Sequence, residues 1–205
     1  SLRLVGSEMC IRDSLYAPNS VVMTRGETAN TVVPVLGNDA SAEAWGISPP
    51  LPTGLNFSNG VITGTPEVNM TATVFTIYAN NSGGSAAAYL TITVLEPLAI
   101  VTYVPENITL TRGEDNASIL PLLGGGMVET WTITPALPDG LVFDNGSITG
   151  VPLVNSTNTT YTVSAQNTGG VAYAYLNITV VEPVAVLSLN HLSLIHISEP
   201  TRRRL

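Results

Sequence analysis

Most of this chain is written twice. "APNSVVMTRGETANTVVPVL" returns as "VPENITLTRGEDNASILPLL", "WGISPPLPTGLNFSNGVITGTP" as "WTITPALPDGLVFDNGSITGVP", and "IYANNSGGSAAAYLTITVLEP" as "VSAQNTGGVAYAYLNITVVEP". The spacing is 86 residues over most of the length, which sets Trp45 against Trp131, Gly64 against Gly150, and Glu96-Pro97 against Glu182-Pro183. Each copy is long enough to bury a core of its own, so the repeat predicts two tandem modules joined at the Glu-Pro step. After Pro183 the segment "VAVLSLN" restarts what "LAIVTYV" begins after Pro97, which reads as the start of a truncated third repeat over 184–191.

The two ends stand outside the repeat and are related to each other differently. Back-translating Leu4 to Ser14 with permitted codons and taking the reverse complement gives a reading frame that encodes Leu192 to Arg202. One oligonucleotide read on its two strands thus accounts for both ends, and its sequence resembles a transposase adapter used in sequencing libraries. Residues 1–14 and 192–205 are therefore read as adapter-derived and set aside, as a tag would be. The chain between them is read as one stretch of a longer tandem array, with repeats at 15–97 and 98–183.

Setting the ends aside changes the chemistry on offer. The sole cysteine, Cys10, and His196 go with them, which leaves His191 as the last histidine and Arg25 and Arg112 as the last basic residues. No disulfide can form from a single cysteine. An acidic chain with two arginines lacks the clustered positive charge that neutralises phosphates, so nucleic acid is excluded as a partner. No apolar run is long enough to span a membrane.

Within each copy the pattern is β. Phe75, Ile77 and Ala79 alternate with polar residues, as do Tyr161, Val163 and Ala165; Leu90, Ile92 and Val94 repeat the pattern, with Leu176, Ile178 and Val180 in the second copy. Apolar residues at two-residue spacing bury one face of a sheet and leave Thr, Ser and Asn wet on the other. Asn59-Gly60 and Asn145-Gly146 carry the pair that tolerates the positive φ of a tight hairpin. "NSGGS" and "NTGGV" read as glycine-rich hairpins joining the last two strands of each copy. Short strands at regular spacing with no helical periodicity predict a β-sandwich, its core placed around Trp45 or Trp131.

The elements "W.I.P.LP.GL.F.NG.ITG.P" and "YTVSAQNTGG.A.A.L.ITV" together resemble the immunoglobulin-like repeat common in large microbial surface proteins, related to cadherin-like and dystroglycan-type domains. The resemblance covers about 16–97 and 103–183. It implies an all-β chain of two tandem immunoglobulin-like/cadherin-like sandwiches, extracellular or at the cell surface, in an adhesin, stalk or envelope protein. It implies no chemistry.

Residue by residue, catalysis finds little support. A nucleophile needs a base in reach, and His191 sits at a ragged end. Glu114-Asp115 and the pair Asp139 and Asp144 read as solvated loop charges; the positions of the latter two are Thr53 and Ser58 in the first copy. Calcium is a closer question. "VPEN", Val104 to Asn107, resembles the start of a cadherin repeat, and Glu96, Glu106 and Glu182 are weak calcium candidates near the joints. The Asp-rich elements that supply six to eight oxygens in cadherins are absent, so Glu96 and Glu182 read first as capping a rigid Glu-Pro linker.

Asn-x-Ser/Thr acceptors are the one polar motif in excess. Asn56, Asn69, Asn80, Asn107, Asn116, Asn145, Asn155, Asn158 and Asn177 all qualify, where composition alone gives roughly three. Some are read as carrying glycan that would shield a stalk from proteases.

The leading expectation is a non-enzymatic structural or adhesive module whose partners are neighbouring repeats and, on its loops, a surface protein or glycan ligand. The alternatives are an accessory domain pair of a secreted hydrolase, a carbohydrate-binding module, and a Ca²⁺-dependent cadherin-like adhesion module. A carbohydrate site needs an aromatic platform; both Trp read as core, and Tyr173 and Tyr175 are read as lying on opposite strand faces.

Overall fold

The computed structural model describes residues 14–36 and 41–185, and every regular element among them is a strand. The first repeat holds β1 (Ser14–Tyr16), β2 (Ser20–Thr24), β3 (Pro34–Leu36), β4 (Ala44–Ser48), β5 (Leu55–Ser58), β6 (Val61–Gly64), β7 (Met70–Asn81) and β8 (Gly84–Leu95). The second holds β9 (Ala99–Thr102), β10 (Asn107–Thr111), β11 (Ala117–Ile119), β12 (Leu122–Gly125), β13 (Thr130–Thr134), β14 (Leu141–Asp144), β15 (Ser147–Gly150), β16 (Ser156–Asn167) and β17 (Gly170–Val181). Residues 1–13 of the adapter-derived stretch, all of 192–205, His191, and the third-repeat residues from 186 on lie outside the described residues. No helix among the described residues is long and apolar enough to cross a membrane.

Each repeat is a two-layer sandwich. One layer is a four-stranded sheet in the order β2-β8-β7-β4, and in the second repeat β10-β17-β16-β13. The first strand in each order runs parallel to its neighbour and the remaining pairs are antiparallel. The second layer comprises β11-β15-β14 and β12-β9 in repeat 2, and β1-β3 with β5-β6 in repeat 1, where an isolated Val32–Ile62 bridge stands in for the β11–β15 pairing.

The alternation read from the sequence is the alternation observed. Phe75, Ile77, Ala79, Leu90, Ile92 and Val94 are buried in repeat 1, as are Tyr161, Val163, Ala165, Leu176, Ile178 and Val180 in repeat 2. All but Ala79 share one cluster with Leu55 and Ile62, or with Leu141 and Ile148, from the other layer, and Ala79 sits with Ala86 against Trp45. The Leu, Ile, Val and Phe side chains among them each contribute about 1.5–3 kcal/mol by leaving water, and each repeat's main core is its own cluster, so each has the means to fold as a unit.

The two tryptophans are not the core centre. Trp45 and Trp131 are half-buried, because β4 and β13 are the outermost strands of their sheets and the indoles cover an edge. Each lies on the Asn-Gly turn of the facing hairpin: a Cβ added at Gly60 would fall 2.7 Å from Trp45, and at Gly146 2.8 Å from Trp131. Those turns take positive φ at both residues, 50° and 80° at Asn59-Gly60 and 46° and 81° at Asn145-Gly146, as a two-residue hairpin of this twist requires. A buried tyrosine from the chain's entry into each repeat locks the same turn. Tyr16 donates its hydroxyl proton to the Gly60 carbonyl, and Tyr103 donates to that of Gly146 at 2.5 Å.

Candidate functional site

The residues that depart most from a plain sandwich gather where one repeat meets the next. After β2 the sequence Thr24-Arg25-Gly26 turns the chain, and the Arg25 N–H donates to the Leu95 carbonyl at 2.8 Å. The arginine is thereby held beside the end of β8, next to Glu96. Its guanidinium grips that carboxylate with both oxygens engaged, Nε to Oε1 at 3.0 Å and Nη2 to Oε2 at 2.7 Å. A planar fork on a carboxylate fixes direction as well as charge.

Repeat 2 closes over this pair from the other side. The Glu96 N–H donates to Thr168 Oγ1 at 2.9 Å, and Asn167 Nδ2 donates to the Pro97 carbonyl at 2.8 Å. Asn167 is held for that task by the Gly169 N–H, which donates to its Oδ1 at 2.9 Å. Thr168 and Gly169 form the two-residue loop between β16 and β17, so the linker is clasped by a hairpin tip. Glu96 and Asn167, 7% and 4% exposed, are the buried polar or charged residues among those described. A buried polar group is costly unless paired, and both are paired across the joint.

Two glycines make the approach close enough. A Cβ at Gly169 would lie 2.1 Å from the Glu96 carbonyl oxygen, and one at Gly126 would lie 2.1 Å from that of Pro97. Neither position admits a side chain without parting the repeats. The Arg25 hydrogen bond holds the Glu96 carboxyl below the ordinary glutamate value; burial opposes this, and Arg25's charge and the Met127 N–H add to it.

The family described as "Putative Ig domain" matches residues 13–95 and again 99–181. The chain belongs to that family. Among solved structures, extracellular domains 3–5 of Drosophila OTK share the fold at 16% identity and a TM-score of 0.52, over 83% of this chain and 63% of that one. The N-terminal four Ig domains of Dscam1 isoform 9.44 match at 13% identity and a TM-score of 0.46 over 79% of this chain. The chain spans 43% of that structure's length. The titin domains z1z2, solved in complex with telethonin, match at 17% identity and a TM-score of 0.39, over 84% of this chain and 95% of that one. No curated protein matches the chain.

In these Ig domains the calcium candidates have separate surroundings. Glu96 is bound by Arg25, and Glu182 accepts from Arg112 Nε at 3.1 Å and Nη2 at 2.5 Å through one oxygen. Glu106 is exposed and uses its carbonyl to accept from the Asn177 N–H at 2.7 Å. Among the described residues no three of His, Cys, Asp and Glu gather in a way that could hold a metal ion. Glu114, Asp115, Asp139 and Asp144 are exposed, and Asp115 caps its turn by accepting from the Thr111 N–H.

Eight of the glycan acceptors (Asn56, Asn69, Asn80, Asn107, Asn116, Asn145, Asn155 and Asn158) are exposed, and Asn177 is half-buried. Asn107 and Asn177 face each other on the parallel strands β10 and β17. Asn177 Nδ2 donates to Asn107 Oδ1 at 2.9 Å, and Thr160 Oγ1 donates to Asn177 Oδ1 at 2.6 Å.

Tyr173 and Tyr175 correct the sequence reading. Ala174 stands between them, so they are two residues apart and share one face of β17; Ala174 is buried, whereas the tyrosines are 59% and 60% exposed. Together with Glu106 and Thr102 they line a shallow groove.

The joint residues were open to sequence reasoning in part. "TRGE" and "EP" recur together in both repeats, and so does Asn-Ser/Thr-Gly-Gly. The recurrence marks Asn167 as part of a hairpin but not its partner, which lies 70 residues away along the chain, and Gly126 carries no signal of its own; its role comes from a linker 29 residues away.

Proposed function

We propose that this chain is a non-enzymatic spacer of an extracellular or cell-surface protein, in which tandem Ig domains hold a fixed mutual orientation and present their exposed faces to partners. The observation that carries this reading is Glu96, a buried residue whose carboxylate is held by Arg25 of its own repeat and whose backbone N–H is held by Thr168 of the next. A flexible string of domains has no use for such a group, because burying a charge is costly unless both sides of the joint stay in place. The reading is tested by spin labels at exposed Val74 and Val142, introduced as V74C and V142C with Cys10 replaced by Ser. Dipolar spectroscopy gives one narrow distance distribution for a fixed joint. A broad distribution spanning tens of ångströms contradicts it.

A second reading concerns what the spacer presents. The exposed pair Tyr173 and Tyr175, side by side on one strand with Glu106 nearby, offers the aromatic face and acceptor that sugar rings stack on and bond to. Glycan-array binding lost in Y173A/Y175A supports it; an array without hits removes it.

A further inference from the structure

The end of repeat 2 reproduces the surface that receives a hairpin at the joint. At the joint, a bulge in β7 between Met70 and Thr73 opens a groove lined by Asn69, Thr71 and Thr93, and Thr168 of the incoming tip forms its far wall. One repeat later, β16 carries the same bulge between Ser156 and Thr159, and Asn155, Thr157 and Thr179 line a groove of about 340 Å³. The Thr-Arg-Gly turn recurs as well: the Arg112 N–H donates to the Val181 carbonyl at 2.9 Å and sets the guanidinium on Glu182. The two poles differ in cover. The Glu96 side chain is 8% exposed and that of Glu182 is 55% exposed.

The complementary element also occurs twice. Asn167-Thr168-Gly169-Gly170 clasps the linker, and repeat 1 carries Asn81-Ser82-Gly83-Gly84 in the same hairpin position, with the same Gly83 N–H to Asn81 Oδ1 bond at 2.9 Å. Ser82 keeps the hydroxyl that Thr168 uses as acceptor.

We infer that the pole formed by Arg112, Glu182 and the β16 bulge is a docking surface for a further Ig domain of this type, whose Asn-Ser/Thr-Gly-Gly hairpin accepts the Glu182 N–H and covers the Arg112–Glu182 pair. The occupant is named by the chain itself, since an equivalent surface in the same molecule already holds that hairpin. The inference rests on the spacer reading but fails separately from it.

The test inserts a second copy of residues 98–183 between Pro183 and Val184 of the full chain and follows amide hydrogen exchange by NMR. Docking slows exchange at Glu182 by about tenfold or more relative to the parent chain, the effect of newly burying and bonding one N–H. In the inserted copy, replacing the threonine equivalent to Thr168 by valine removes the acceptor without touching a core residue, and the slowing is then lost. Equal exchange at Glu182 in parent and extended chains overturns the inference, as does full slowing in the valine variant. The Glu96 amide is the internal reference. If it is protected in the parent chain while Glu182 stays fast in the extended one, the spacer reading stands and the docking surface falls. If the Glu96 amide itself exchanges freely, the spacer reading falls with it.

Discussion

Glu96 and the entry tyrosines show how single side chains hold this molecule together, and each has a pH signature. The Glu96 carboxyl is held below its ordinary value. Its contribution is therefore fully present above the unfolded glutamate pKa of about 4.3 and is lost as pH falls through the lower folded value. Thermal melts of the parent chain and E96Q should differ at neutral pH and converge in acid; a difference that persists at about pH 2 contradicts the assignment. The tyrosines act at the other end of the scale. Burial pushes the Tyr16 and Tyr103 hydroxyls up to about 12, so their stabilisation is complete below pH 10 and disappears between about pH 10 and 12. Y103F should cost about 1–2 kcal/mol by leaving the Gly146 carbonyl without its donor, and should flatten the alkaline loss for repeat 2, as read by urea denaturation across that range. Asn167 gives the joint's own measure. N167A strands the Pro97 carbonyl and the Gly169 N–H together, a loss of about 1–3 kcal/mol.

The strands and turns are the scale at which the sequence was most legible. Leu90, Ile92, Leu176 and Ile178 alternate without interruption, and they lie at the centre of their sheets, where both the pleat and the facing layer demand apolar groups. L176A should accordingly cost about 2–5 kcal/mol and unfold repeat 2 at lower denaturant than repeat 1. The Asn-Gly turns were equally plain, because only a few residues take positive φ twice in succession. G146A should cost about 1–3 kcal/mol from backbone strain alone, with the Trp131 indole adding to it. Trp45 and Trp131 were misplaced because residue type says how much surface a side chain would bury but not whether its strand lies at a sheet's edge. Tyr173 and Tyr175 were misjudged on parity alone; a period of two puts them together. What no local pattern could reveal was the pairing of Arg25 with Glu96 and of Asn167 with Pro97. The first joins residues 71 apart through the β2–β8 pairing of repeat 1, and the second joins residues 70 apart and exists only once both sandwiches have formed.

At the scale of the whole molecule, the two Ig domains carry their own cores and meet through a small polar clasp in place of a broad apolar interface. Such a joint sets orientation more than it sets stability, because its hydrogen bonds are directional and their net worth is modest. The carboxylates at both domain ends are engaged by arginine. EDTA should leave the melting temperature unchanged, and a drop of several degrees would support the calcium reading of Glu96 and Glu182. The central claim is that the joint is fixed, and residual dipolar couplings measured separately for residues 14–95 and 99–181 test it most directly. A fixed joint predicts one alignment tensor fitting both Ig domains, with the match lost in G169A, where a Cβ would collide with the Glu96 carbonyl. Two tensors of clearly different magnitude in the parent chain would mean that the domains reorient independently, and would contradict it.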